Sequence, residues 1–88
     1  MAGLITRIDN AAVAVGAGAI SIRAAEPGRF SWLITNNGPD VLYIGGASVT
    51  AADGTPVAAG GNVSGGSEAE IFGISAGNSD ARVLVELR

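Results

Sequence analysis

The sequence predicts an all-β domain: a small, compact sandwich or barrel of about seven short antiparallel strands, with little or no helix. Three observations carry this reading. Apolar residues recur with period two in short runs, the signature of half-buried strands. Gly, Asn, Asp and Pro punctuate those runs at close intervals. Nowhere do ten consecutive residues hold a helical repeat with capping residues.

Taken in order, Leu4 to Ile8 forms a first run, with Leu4 and Ile8 on one face and Arg7 on the other. Ala11 to Val15 forms a second, broken by Gly16-Ala17-Gly18. Ala19 to Ala24 alternates Ile20, Ile22 and Ala24 against Ser21 and Arg23, and Glu26-Pro27-Gly28 turns the chain. The strongest hairpin is expected next. Phe30, Trp32 and Ile34 share one face of its first strand, Asn36-Asn37-Gly38-Pro39-Asp40 makes the loop, and Val41 to Ile44 returns. In that loop the Asn-Gly step suits positive φ, and Pro39 blocks both helix and ladder. Trp32 and Tyr43 then lie on paired strands.

Asp53-Gly54-Thr55-Pro56 reads as a second turn, and Asn62 to Ser64 as a weak segment between Gly60-Gly61 and Gly65-Gly66. Ala69 to Ser75 reads as a strand. The last strand has the clearest face: Ala81, Val83, Val85 and Leu87 point one way, Arg82, Glu86 and Arg88 the other, and Leu84 is the one apolar residue on the polar side. The organisation expected is an N-terminal β segment or arm over 1–28, partly inter-subunit, and a core over 29–88.

Composition narrows the function. Among 88 residues there are 14 Gly and 16 Ala, and no Cys, His, Lys or Gln. Disulfides and thiolate nucleophiles are excluded, and so are the soft and borderline ligands of zinc and most transition-metal sites. The usual general bases and the Schiff-base amine are missing too. Seven Ser and four Thr therefore have no ordinary activating base. Five scattered Arg against eight acids form no basic patch, which argues against nucleic acid as a partner. The apolar stretch Ala11 to Ile22 is short of the about 20 residues a bilayer span needs, and Asp9 offsets Arg7 before it, a poor start for a signal peptide. Asn62-Val63-Ser64 matches a glycosylation sequon, which matters only on a secretory route.

Candidate chemistry is thin. Glu68 and Glu70 are two apart on the expected strand, which puts both carboxylates on one face about 6.6 Å apart along it. Their bland reading is a solvated pair, or one that protects a sheet edge from aggregation. Gly16-Ala17-Gly18 lacks the third Gly of a dinucleotide fingerprint and the Lys of a phosphate loop. No catalytic, cofactor or metal residue is assigned. A domain this small buries only about 60% of the surface its unfolded chain exposes, and it has neither disulfide nor metal to brace it. Self-association, or docking on a larger surface, is the remaining staple. Leu4, Ile5, Ile8, Trp32 and Tyr43 are the expected interface residues, although a Trp on an alternating strand more often belongs to the core, where Trp32 and Tyr43 would share an inward face.

One stretch carries a family resemblance. Arg29-Phe30-Ser31-Trp32-Leu33-Ile34-Thr35-Asn36-Asn37-Gly38-Pro39, then Val41-Leu42-Tyr43-Ile44-Gly45-Gly46, resembles a pattern common in small tailed-bacteriophage virion proteins of the capsid decoration (cement) or head-fibre-base type. Val49-Thr50, Asp53-Gly54-Thr55-Pro56-Val57 and the ending Ala81-Arg82-Val83-Leu84-Val85-Glu86 continue it. The likeness spans residues 29–88. The chain departs from it at Ala59-Gly60-Gly61, where the pattern has Pro-Gly-Glu, and at Phe72, where it has Tyr. The resemblance implies a non-enzymatic virion protein on the capsid exterior, a homo-oligomer (trimer favoured, at local three-fold axes) that binds the major capsid protein and reinforces the shell. The alternative is a tail or baseplate module that contacts host glycans through Trp32 and Tyr43.

Overall fold

The computed structural model describes residues 5–88. Eight strands follow in order: β1 (Arg7–Val15), β2 (Ile20–Arg23), β3 (Arg29–Asn36), β4 (Leu42–Gly45), β5 (Thr55–Val57), β6 (Asn62–Gly65), β7 (Ile71–Ile74) and β8 (Ser79–Leu87). They form two four-stranded sheets, β1-β8-β3-β6 (sheet A) and β2-β7-β4-β5 (sheet B), and every pairing is antiparallel. No helix occurs among the described residues. First pairs with last, second with seventh, third with sixth, fourth with fifth: the chain is a long antiparallel ribbon wound on itself. Two further pairings, β3 with β8 and β4 with β7, hold the winding closed. This is the jelly-roll arrangement of an all-β sandwich.

Local sequence explains most elements. In β8 the alternation is unbroken: Ala81, Val83, Val85 and Leu87 are buried between the sheets, while Arg82 and Leu84 face out. These residues join Val15, Ile22, Ile34, Leu42, Ile44, Val57 and Ile71 in one core, with Val13, Trp32 and Val63 packed against it. β8 lies between β1 and β3, so its inward face meets neighbours on both sides.

The two expected N-terminal runs are one nine-residue strand. Asp9-Asn10 does not interrupt it, because the Asp9 carboxylate is met by Arg7 at 3.2 Å and by Arg23 at 3.5 Å. Residues 7–23 supply one strand to each sheet, β1 to sheet A and β2 to sheet B. Leu4 lies outside the described residues.

The expected central hairpin is absent. β3 lies in sheet A and β4 in sheet B, so the Asn36–Asp40 loop carries the chain across the sandwich. The reason is the Asn36 side chain, fully buried and fully used. Its Nδ2 donates to the carbonyls of Asp40 (2.8 Å) and Val57 (2.9 Å), and its Oδ1 accepts from Gly38 N (2.9 Å) and Ser79 Oγ (2.9 Å). Two of those bonds tie the end of β3 to β5 and to the start of β8, and the other two shape the loop itself. Nor is Gly38 in the left-handed region, which among the described residues only Gly28 and Gly60 occupy. Gly38 is needed for space, since a Cβ there would sit 2.5 Å from the Ser79 Cα.

A second correction concerns the start of β3. A bulge between Arg29 and Ser31 places Phe30 outward and Arg29 inward, so Phe30 leaves the face it was expected to share with Trp32 and Ile34. Thr55-Pro56, read as the end of a turn, belongs to β5. Pro56 is tolerated because β5 is an edge strand.

Replacing Gly38 by Ala is expected to cost about 1–3 kcal/mol, because the added methyl strikes packed backbone. Gly46→Ala, where a Cβ meets nothing within 4 Å, is expected to stay within about 0.5 kcal/mol of the parent. Urea midpoints of the two variants check both values.

Candidate functional site

At the other end of β3 from Asn36, the guanidinium of Arg29 is buried, with the residue only 1% exposed. It donates to the carbonyls of Ala24 (2.6 Å), Ser67 (2.8 Å) and Ala69 (3.0 Å), and to Glu26 Oε1 (3.3 Å). Glu26 also receives two parallel bonds from Arg23, at 3.0 and 2.8 Å. A chain of alternating charge therefore runs Arg7–Asp9–Arg23–Glu26–Arg29, from the edge of sheet A into the interior. Burial and pairing make this resemble a site, but all four hydrogen bonds that the Arg29 guanidinium makes go to the protein's own loops. Its task is to close one end of the sandwich.

The hydrogen bonds from Arg23, its charge, and the bond from Arg29 hold the Glu26 carboxyl below the ordinary glutamate range, against a smaller opposing effect of burial. Arg23 is raised in turn, chiefly by its bond to Glu26. Because the folded value lies below the unfolded one, this contribution is present above the ordinary range (about 4.3) and is lost as pH falls through the folded value.

The expected carboxylate pair is not assembled. β7 begins only at Ile71, so Glu68 and Glu70 lie on the preceding loop rather than on a strand face. Each is engaged elsewhere: Glu68 accepts from Gly28 N at 2.9 Å, and Glu70 from Ser21 Oγ at 2.7 Å. β7 lies inside sheet B, so the pair protects no edge either. Among the described residues, no group of three or more acidic side chains gathers as a cation site would require.

Trp32 and Tyr43 stand on different sheets. Trp32 faces inward, half-buried, against the core. Its ring covers Gly65, where a Cβ would lie 2.5 Å from the indole, and its Nε1 is buried without a partner. Tyr43 faces out from sheet B, between Ile74 of β7 and Pro56 of β5. The two rings form no common stacking platform.

The outer face of sheet A is the surface that stands out. Cross-strand register lays it out in rows: Ile8, Glu86 and Ser31; then Asn10, Leu84, Leu33 and Ser64; then Ala12, Arg82, Thr35 and Asn62. Ile8 is 60% exposed and Leu84 40%, and bulged Phe30 adds another 45%-exposed ring under the Arg88 guanidinium, 5.8 Å from its centroid. Small Ala12 leaves a shallow depression of about 320 Å³ among Leu33, Leu84 and Arg82. The charged groups here are already engaged: Ser31 Oγ donates to Glu86 at 2.6 Å, and Arg82 binds Asp80 at 2.8 Å. That pairing lowers the Asp80 pKa and raises that of Arg82. Such a face offers apolar contact framed by satisfied charge, and no reactive group.

Comparisons with protein-family models, curated proteins and solved structures return no match. The jelly-roll arrangement by itself implies no activity. Of the interface residues expected from sequence, Ile8 and Ile5 (37% exposed) are available on the surface, Trp32 is committed to the core, and Tyr43 is half-buried on the opposite face. Sequence reasoning missed Phe30 as a surface residue, whereas Leu33 shares the outer face with Ser31 and Thr35 as the alternation predicts. The only signal for Phe30 was its place directly after the Pro27-Gly28 turn, where the strand has not yet settled into register.

The Glu26 pairing yields a pH test. The parent chain should melt above Glu26→Gln at pH 6, and the gap should close as the pH is lowered toward 2. Thermal melts followed by circular dichroism across that range check it.

Proposed function

We infer that this chain is a structural protein of a tailed-phage virion, one that decorates the outside of the capsid and reinforces it without catalysing a reaction. The observation that carries the reading is the resemblance over residues 29–88 to small virion proteins of the decoration or head-fibre-base type. The geometry agrees with a role based on contact. The outer face of sheet A presents Ile8, Leu33, Leu84 and Phe30 beside paired charges, an arrangement suited to covering another protein surface. The chain has no His, Cys or Lys to run acid–base or covalent chemistry in the usual way.

In this proposal the chain acts as a homo-oligomer, a trimer at local three-fold axes, with the major capsid protein as its partner. Each subunit adds a modest contact, and linking subunits turns later contacts into intramolecular events, which raises occupancy without any single strong bond. The glycan-binding alternative loses its main support, because Trp32 and Tyr43 do not share a surface.

Mass spectrometry of purified particles should find the chain retained in many copies per particle. The double variant Ile8→Asp, Leu84→Asp changes two exposed positions and should leave the circular dichroism spectrum unaltered. Its occupancy on particles is expected to fall at least ten-fold. Particles free of the parent chain, or full occupancy by the double variant, would refute the reading.

A further inference from the structure

The four sheet edges are not alike. β5 is three residues long with Pro56 at its centre, which removes a backbone donor. β6 has four residues, follows Gly60-Gly61 and ends at Gly65. β2 has four, and its register is broken between Ser21 and Arg23. Shortness, proline and irregularity are the devices that keep a sheet edge from recruiting another strand. β1 has none of them. It runs nine residues without Pro or Gly, in continuous register with β8 from Arg7↔Leu87 to Val15↔Ser79, and among the described residues no strand pairs with its other side. Its two charges sit at one end and pair with each other.

We propose that β1 is a pairing edge, and that its occupant is β1 of a second copy of this chain, antiparallel across a two-fold axis at Ala11. Such a contact is isologous, so one sequence must suit both sides, and β1 does. With Ala11 opposite its own counterpart, all nine residues overlap. Arg7 then falls opposite Val15 and Asp9 opposite Val13, so no like charges meet. On the outer face, Ile8, the most exposed large apolar side chain among the described residues, falls opposite Ala14, large against small. Moving the axis to residue 9 would set the two Asp9 carboxylates against each other. The pairing closes about eight new backbone hydrogen bonds and joins two four-stranded sheets into one of eight. It rests on the edge alone and requires an even number of copies, so the trimer of the proposed function is compatible with it only as two trimers joined through β1.

The chain has no cysteine, so single introduced cysteines report on this register alone. Facing residues of an antiparallel pair have Cα atoms about 4.5–5.5 Å apart, within disulfide reach. Under mild oxidation of the full chain, Ala11→Cys should give at least ten-fold more disulfide-linked dimer than Ser48→Cys, an exposed control in the loop between β4 and β5. Ile8→Cys and Ala14→Cys should cross-link efficiently only when the two proteins are mixed. Light scattering of the uncrosslinked chain should show a mass that is a multiple of two copies. If neither cross-link exceeds the control, or if Ala11→Cys joins only to a capsid subunit on particles, the self-pairing is overturned.

Discussion

A single strand, β3, is held at both ends by buried polar side chains, and the sandwich depends on that clamp. At its start, Arg29 donates to three loop carbonyls and to Glu26; at its end, Asn36 uses every donor and acceptor position of its amide. Sheets have no intrinsic means of closing their open ends, where the backbone turns and its polar groups would otherwise stand unpaired. Here one cation and one amide satisfy loops that come from distant parts of the sequence. A buried charge is expensive unless fully partnered. The Arg29 cation has four acceptors, and the carboxylate among them is itself neutralised on its far side by Arg23.

The same economy explains why so much of the surface is chemically quiet. Acidic side chains that looked free in the sequence are each engaged with a nearby group: Asp9 with two arginines, Glu68 with a backbone amide, Glu86 with Ser31. What remains on sheet A's outer face is a shallow surface on which Ile8, Leu33 and Leu84 lie among uncharged polar side chains. Contact with other proteins is what such a surface offers, and the unprotected run of β1 beside it extends the same property to the backbone.

How much of this was legible depended on how local the determining interactions are. The faces of β8 could be read directly, because strict alternation of Ala81, Val83, Val85 and Leu87 needs nothing but the pleat. Leu84 declared itself as an apolar residue on the polar side, and it now lies at the centre of the exposed face. The β3–β4 connection was misread because Asn36 to Pro39 has the composition of a tight turn. Only the reach of the Asn36 amide to Val57 and Ser79, 21 and 43 residues away, sends the chain across instead. The bulge at Phe30 and the burial of Arg29 escaped for the same reason, since both depend on partners far along the chain. Glu26, three residues before Arg29, was the one nearby hint that this arginine had a fixed partner.

The winding that pairs the first strand with the last has a consequence for biosynthesis. β8 is the common neighbour of β1 and β3, so sheet A has no interior until the segment from Ser79 onward has left the ribosome. The earlier strands must wait with their apolar sides uncovered, and almost every ladder they finally make closes a long loop, the kind of topology that folds slowly. A nascent chain halted before Ser79 is therefore a substrate for chaperones and proteases rather than a partly finished domain.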